Sequence, residues 1–274
     1  MAGDPVLRVL SRIRRAWKRH FPRLVLPLWV SPGVLWLARN DALGSQLFTR
    51  SFERDERAFV SKLVIPGMAV VDVGANAGLY TVIAAKRVGP SGRVIAFEPS
   101  PREVRQLRSH LRLNRCTNVT IEEVALGEAS GLGDLLIVEG HETGCNSFHL
   151  ADGDAAGTRP LSVPIRTLDD YYQEGRFSRV DFIKMDIEGA ELSALRGATR
   201  VFRDLQPVLL CEVVEERTAP WHYRGFDIIE LVRSWGYEWF GFTGRGRLEP
   251  VPATQERFSA NFVAFPRHRV PPKI

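Results

Sequence analysis

Along the middle of the chain, apolar and polar positions fall into blocks that predict strands and helices in turn. Ala69–Val73 is a short, β-branched apolar run, the pattern of a strand covered on both faces. The turn Gly74–Gly78 follows, and Leu79–Val88 reads as a helix that Gly89-Pro90-Ser91-Gly92 stops. Arg93–Phe97 predicts a second strand, Pro101 suits the first turn of a helix running to Asn114, and Val119–Glu122 begins a third strand. The glycine-rich stretch 127–164 breaks the rhythm and predicts an inserted hairpin and loop. Alternation then resumes: helix Thr167–Gln173, strand Val180–Met185, helix Glu188–Arg196, strand Val208–Glu212, helix Phe226–Trp235, and closing strands Tyr237–Phe242 and Asn261–Phe265. The sum predicts an α/β fold with a doubly wound, mostly parallel, seven-stranded sheet, in which ligands bind beyond the carboxyl ends of the strands.

Composition narrows the class. With 45% hydrophobic and 25% charged residues the chain is no disordered polymer. Its length suits one large domain over 51–274, preceded by a lead-in over 1–50. Cys116, Cys145 and Cys211 are odd in number and lack CxxC spacing, so the pattern favours neither a disulfide framework nor a zinc site and fits a cytoplasmic setting. The net charge of +5 is concentrated at the front. Arg8, Arg12, Arg14, Arg15, Lys18, Arg19 and Arg23 stand there with no acid among them, and Val6, Leu10, Ile13, Trp17 and Phe21 form an apolar stripe at helical spacing. Residues 6–23 thus read as a basic amphipathic helix, suited to an anionic membrane surface or an acidic partner, with a plain packing helix as the alternative. Leu24–Ala38 is apolar but interrupted by Pro27, Pro32 and Gly33 and too short to span a bilayer; it reads as a turn and short strands.

The turn after the first strand carries the chemistry. A dinucleotide site expects G-x-G-x-x-G, whereas here Gly74 and Gly78 bracket Ala75-Asn76-Ala77 and Asp72 stands just before. A carboxylate there opposes a pyrophosphate but can pair with the ammonium of a methionine moiety, and Asn76 offers both a donor and an acceptor. Glu98, ending the second strand, can accept from both ribose hydroxyls, a feature shared with NAD enzymes. Together these residues predict S-adenosylmethionine. The alternatives are an NAD-type oxidoreductase, or a plain tight turn flanked by solvated acids.

The same residues resemble a known family. Val71-Asp-Val-Gly-Ala-Asn-Ala-Gly-Leu-Tyr-Thr81, Ala96-Phe-Glu-Pro-Ser-Pro101, Leu113-Asn114, Ala125-Leu126-Gly127, Thr167-Leu-Asp169 and Ile183-Lys-Met-Asp-Ile-Glu-Gly-Ala-Glu191 are similar to the FkbM-type methyltransferases over about Glu53 to Glu215. The resemblance implies a Rossmann-like methyltransferase fold. It implies that Asp72, Gly74, Asn76, Gly78 and Glu98 bind the cofactor, with Glu123, Val124 and Ala125 near the adenine. It also implies O-methylation of a sugar, glycan or other natural product.

Methyl transfer to a hydroxyl is an in-line displacement that needs an aligned acceptor and a base. Candidates follow the strand ending at Met185: Asp186, then Glu188 and Glu191, i and i+3 on one helix face, and Glu212 at the end of the next strand. Clustered carboxylates raise one another's pKa values. Asp186 and Glu212 are also placed to hold a divalent cation, and helix capping is the plainer role for Asp186. His222, in a loop after Glu212, is a further candidate base, with His141 and His149 behind it; Trp221 and Tyr223 could stack on a sugar, and Lys184 could hold an acceptor's anionic group or snorkel from the sheet. No Asn/Asp-Pro-Pro-aromatic motif accompanies these residues, so nucleic acid is not an expected partner. A non-catalytic nucleoside-binding module tethered by the basic helix is the remaining class.

Overall fold

The computed structural model describes residues 13, 17, 24–39, 41–138, 146–149, 157–244, 247–252 and 254–269. The chain opens with a hairpin of β1 (Leu26–Ser31) and β2 (Val34–Ala38), then α1 (Ala42–Phe48) and α2 (Arg54–Leu63). Next come β3 (Ala69–Val73), α3 (Leu79–Val88), β4 (Arg93–Phe97), α4 (Pro101–Leu113) and β5 (Val119–Glu122). A small layer follows, made of β6 (Ala125–Leu126), β7 (Gly131–Val138) and β8 (Thr158–Arg166). After it run α5 (Leu168–Gln173), β9 (Phe182–Met185), α6 (Glu191–Arg196), α7 (Thr199–Asp204) and β10 (Val208–Val214). The chain closes with α8 (Glu215–Thr218), a 3-10 turn (Ala219–Trp221), α9 (Gly225–Ser234), β11 (Tyr237–Phe242), β12 (Leu248–Pro250) and β13 (Ser259–Pro266).

The main sheet has the order β12-β11-β13-β10-β9-β3-β4-β5. From β10 to β5 the strands are parallel, and β13 runs antiparallel between β10 and β11. The chain winds outward from β3 to β5 and then returns to β9 on the other side of β3. The order therefore reverses between β3 and β9, where a ligand crevice forms in doubly wound sheets. The sheet has eight strands rather than the seven expected, because Leu248–Pro250 adds a short edge that tolerates its proline.

Continuous apolar runs such as Ala69–Val73 are explained by two cores. Val71, Val73, Ile183, Met185 and Leu209 face α6, α7 and α9 through Leu195, Phe202 and Ile228. Val70, Phe182, Val208 and Leu210 face the opposite side, against Phe59 of α2, Ile83 of α3 and Trp36 of β2. Each fully buried side chain of this size contributes about 1.5–3 kcal/mol of transfer free energy. Trp36, Val34, Ala38 and Leu47, from the lead-in expected over 1–50, belong to that second core. The basic helix expected over 6–23 lies outside the described residues except for Ile13 and Trp17, both helical; Trp17 is buried and Ile13 is 49% exposed. Among the described residues no helix is long and apolar enough to cross a membrane.

The insertion expected over 127–164 is real but more regular than the sequence suggests. β7 and β8 pair antiparallel from Gly131–Ile165 to Val138–Thr158, and β6 joins β8 in parallel. This three-stranded layer has its own small core of Ala125, Leu135, Ile137 and Val163.

Candidate active site

A cleft of about 560 Å³, open solvent at its mouth included, lies at the carboxyl ends of β3, β4 and β9, with the β6–β8 layer on one side. Its walls carry Gly74, Asn76, Glu98, Val124, Ala125, Asp186 and Glu188 among the residues singled out from sequence. Leu135, Asn146 and Phe148 from the inserted layer complete it. No motif in the sequence marks those three, because only the fold of the insertion brings them over the strand ends.

The turn is built to expose its backbone. Gly74 has φ +77°, and a Cβ there would sit 2.0 Å from the Asp186 carbonyl oxygen, so β3 and β9 approach too closely for any side chain. The Gly74 and Ala75 amides both donate to the Phe97 carbonyl at 3.0 Å, tying the turn to the tip of β4. Gly78 starts α3 with φ +93°, and a Cβ there would meet Leu107 Cδ1 at 2.3 Å. Ala75 and Gly78 thus shape the turn without lining the cleft.

Glu98 accepts the Asn76 amide at 2.8 Å and the Ser100 amide at 2.9 Å, one on each carboxylate oxygen. Each oxygen keeps a second acceptor direction, which suits the two hydroxyls of a ribose. Burial pushes the Glu98 carboxyl up to about 7 against the pull of those amides.

Asp72 departs from expectation. It is 1% exposed, accepts the Thr81 hydroxyl at 2.5 Å and pairs in register with Lys184 of β9, so it faces α3 beneath the turn and does not line the cleft. Its other oxygen, Oδ1, is buried without a hydrogen-bond partner. Burial raises its pKa, opposed by Lys184 and Thr81. Glu123 is also displaced from its expected place: it is half-exposed and pairs with Arg108 at 2.5 Å, while its neighbours Val124 and Ala125 do reach the cleft.

Lys184 is a buried organising cation. Its ammonium lies 3.1 Å from Asp186 Oδ2, 3.4 Å from the Gly74 carbonyl oxygen and 5.3 Å from the Tyr80 ring centre. Burial pulls its pKa down, but Asp186, Asp72 and Glu53 outweigh that and hold it above the ordinary lysine value. Glu53 was not legible from sequence, since it precedes the first sheet strand. The fold brings it to accept Tyr80 Oη at 2.6 Å and the Asn261 amide at 3.3 Å.

The expected acids do converge, though not on one helix. Helix α6 begins at Glu191; Glu188 precedes it in a left-handed conformation (φ +56°), followed by Gly189 at φ +100°. Glu188 lines the cleft and its Oε2 is 2.9 Å from Arg217 Nε, and its pKa is raised to about 8 by burial first and Asp186 second. Glu191, 1% exposed, turns back to accept the Ile187 amide at 2.8 Å and is raised by burial to about 7. Glu212 is raised to about 10 by burial, then Asp186 and Glu188, and its Oε2 is buried without a hydrogen-bond partner. Oxygens of Asp186, Glu191 and Glu212 all lie within 4.8 Å of one another. His222 is exposed, caps the 3-10 turn with φ +59° and does not line the cleft, so the site does not recruit it. His149 is exposed too, its ring 4.4 Å from that of Trp221; His141 lies outside the described residues. Tyr223 donates to the Gly189 carbonyl at 2.6 Å and so braces the acidic turn.

Comparison with known proteins places this architecture. A family model described as "Methyltransferase FkbM domain" matches residues 72–239. The chain is 27% identical over 204 residues to "Methyltransferase sdnD" of Sordaria araneosa, covering 62% of this chain and 78% of the relative. It is 26% identical over 165 residues to "2-O-methyltransferase NoeI" of Sinorhizobium fredii, covering 52% of this chain and 61% of that one. A crystal structure of methyltransferase FkbM from Methylobacillus flagellatus is similar with a TM-score of 0.47 and 19% identity, over 81% of this chain and 54% of that one. The chain belongs to the FkbM family of methyltransferases, enzymes that take S-adenosylmethionine as methyl donor.

Proposed function

We propose that this enzyme transfers the methyl group of S-adenosylmethionine to a hydroxyl oxygen of a sugar, glycan or similar small acceptor. The observation that carries the reading is that Glu188 and Asp186 line the same cleft as Gly74, Asn76 and Glu98, which puts carboxylates beside the cofactor residues. Glu98 would hold the ribose, and Val124 and Ala125 the adenine. The acceptor oxygen attacks the methyl carbon as the carbon–sulfur bond breaks, the electron pair goes to sulfur, and the hydroxyl proton passes to Glu188 or Asp186. The name of the relative NoeI, a 2-O-methyltransferase, supports oxygen as the acceptor atom. Asp186, Glu191 and Glu212 also fit a divalent cation, with the unpartnered Glu212 oxygen as a free ligand atom, and such an ion would acidify a bound hydroxyl.

The test is label transfer from methyl-labelled S-adenosylmethionine to a panel of glycans and lipid-linked sugars, with and without a chelator. Glu188→Gln should lower turnover about 10²-fold or more, the usual worth of a general base, while binding of S-adenosylhomocysteine is unchanged. Unchanged turnover in Glu188→Gln removes it as the base, and label appearing only on nitrogen or carbon acceptors overturns O-methylation.

A further inference from the structure

The inserted layer gives the cleft an apolar wall of Ala125, Leu126, Leu135 and Phe148, and in it one polar side chain, Asn146. In an apolar pocket a few fixed polar groups set the orientation of the ligand. Asn146 is fixed by its own oxygen. Oδ1 accepts the Val138 amide at 3.0 Å and Arg102 Nη2 at 3.3 Å, and Arg102 Nη1 donates to the Val138 carbonyl at 2.7 Å. Backbone N–H and guanidinium groups only donate, so the carboxamide has one admissible orientation, with its oxygen turned into the layer and its NH2 turned away. Among the described residues no group accepts from Nδ2, and it is not one of the buried polar atoms left without a partner, so it is open to the cleft. The supports of Asn146 are themselves held. Arg102 Nε lies 2.7 Å from Glu103, a carboxylate only 1% exposed. Ser147 exchanges backbone hydrogen bonds with Leu136, and its hydroxyl reaches the Glu188 carbonyl oxygen at 2.8 Å. Phe148 lies across Gly133, where a Cβ would come within 2.9 Å of its ring.

From this geometry we propose that Asn146 reads the nucleobase of the cofactor, its Nδ2 donating to a ring nitrogen of adenine. The proposal rests on S-adenosylmethionine occupying the cleft with its base against Val124 and Ala125. Adenine has flat apolar faces and acceptor nitrogens at its edge, which matches an apolar wall carrying a single donor. The ribose hydroxyls already have their acceptor in Glu98, whose two oxygens each keep a free direction. Because Arg102 and Val138 hold the carboxamide before any ligand arrives, binding does not have to order it.

Calorimetry with S-adenosylhomocysteine and its 1-deaza, 3-deaza and 7-deaza adenine analogues tests it, each analogue replacing one acceptor nitrogen by C–H. The wild type should bind one of the three about tenfold more weakly than the parent ligand. Asn146→Asp keeps an oxygen for Val138 and Arg102 but puts an acceptor where the donor stood. It should hold the unfolding midpoint, bind S-adenosylhomocysteine about tenfold more weakly, and no longer prefer the parent ligand to that analogue. The inference is overturned if the wild type binds all three analogues as it binds the parent, or if Asn146→Asp binds S-adenosylhomocysteine as the wild type does. It is equally overturned if the variant weakens the parent and every analogue by the same factor, which would mark a general effect of charge or packing. No binding of S-adenosylhomocysteine by the wild type would overturn the cofactor reading together with this inference, whereas the other results overturn the inference alone.

Discussion

Lys184, next to last in β9, holds its ammonium 3.1 Å from Asp186 and stands in register with Asp72. In the sequence, Asp72 reads as a ligand because it stands at the tip of a strand before a glycine turn. What cannot be read there is that a residue 112 positions away along the chain supplies its counter-charge, since the pairing of β3 with β9 exists only in the folded sheet. Two consequences follow at this scale. Removing the Asp72 carboxylate leaves a buried ammonium with less compensation, so Asp72→Ala should cost about 3 kcal/mol, the low end for breaking a buried ion pair because Asp186 remains. Denaturant unfolding reads that loss, while calorimetry on the fraction that stays folded should find S-adenosylhomocysteine affinity within a few-fold of wild type. Glu98→Ala should differ in its effect on binding. Losing the acceptor for the ribose hydroxyls, at roughly 1.5–3 kcal/mol, weakens the same ligand by about tenfold to a hundredfold, and the unfolding midpoint should fall as well because the Asn76 and Ser100 amides lose their acceptor. Equal effects of the two variants on affinity would return Asp72 to the binding site.

At the scale of elements, the parallel strands were legible and the acidic turn was only half so. Strands β3, β4, β9 and β10 are covered on both faces, which makes their apolar runs continuous and their limits sharp. Asp186 and Glu188 of the Lys184–Glu191 motif line the cleft, and Asp186 and Glu191 meet Glu212 of β10. Yet the motif suggests a helix from Glu188, and the structure starts α6 only at Glu191 because Glu188 and Gly189 both take positive φ. The cause is packing from a distant segment. A Cβ at Gly189 would lie 2.2 Å from the Arg217 carbonyl oxygen and 2.7 Å from Trp221 Cδ1, so the chain after β10 presses on this turn. Sequence periodicity carries no trace of that contact, just as it carries none of Asn146 and Phe148 reaching the cleft. Gly189→Ala combines a conformational penalty of about 1 kcal/mol or more with a backbone clash, and it should displace Glu188 and Arg217 together. The expected outcome is a loss of kcat of tenfold or more with the KM for S-adenosylmethionine nearly unchanged, because Gly189 is not among the residues that line the cleft with Gly74, Asn76 and Glu98. A variant with wild-type kcat would show that the turn can relax without moving Glu188.

For the whole molecule, the acids set how stability responds to pH. Glu98, Glu188, Glu191 and Glu212 are each raised from 4.5, to about 7, 8, 7 and 10, with burial the largest cause in every case. Between 4.5 and those values the native state binds protons that the unfolded chain has released, so stability falls as pH rises across that range. The contribution is fully present below about 4.5 and is lost as pH passes through the folded values, the reverse of a carboxylate stabilised by an ion pair. Asp170, the carboxyl among the described residues whose pKa is lowered, is partly exposed and offsets little. The thermal midpoint of the ligand-free enzyme should therefore drop between pH 5 and pH 9. For a chain of this length each kcal/mol lost moves the midpoint by about 2–4 °C. Glu212→Gln removes the group raised furthest and replaces it with a neutral one of the same shape, so it should flatten that slope and raise the midpoint at pH 8. A divalent cation held by Asp186, Glu191 and Glu212 would act in the same sense, by favouring their ionised forms, and should rescue the wild type at pH 8 but not the Glu212→Gln variant. A midpoint that climbs with pH instead would mean that Lys184 and Arg217 already hold the cluster ionised in the folded protein, and the base would then be available without any rise in pH.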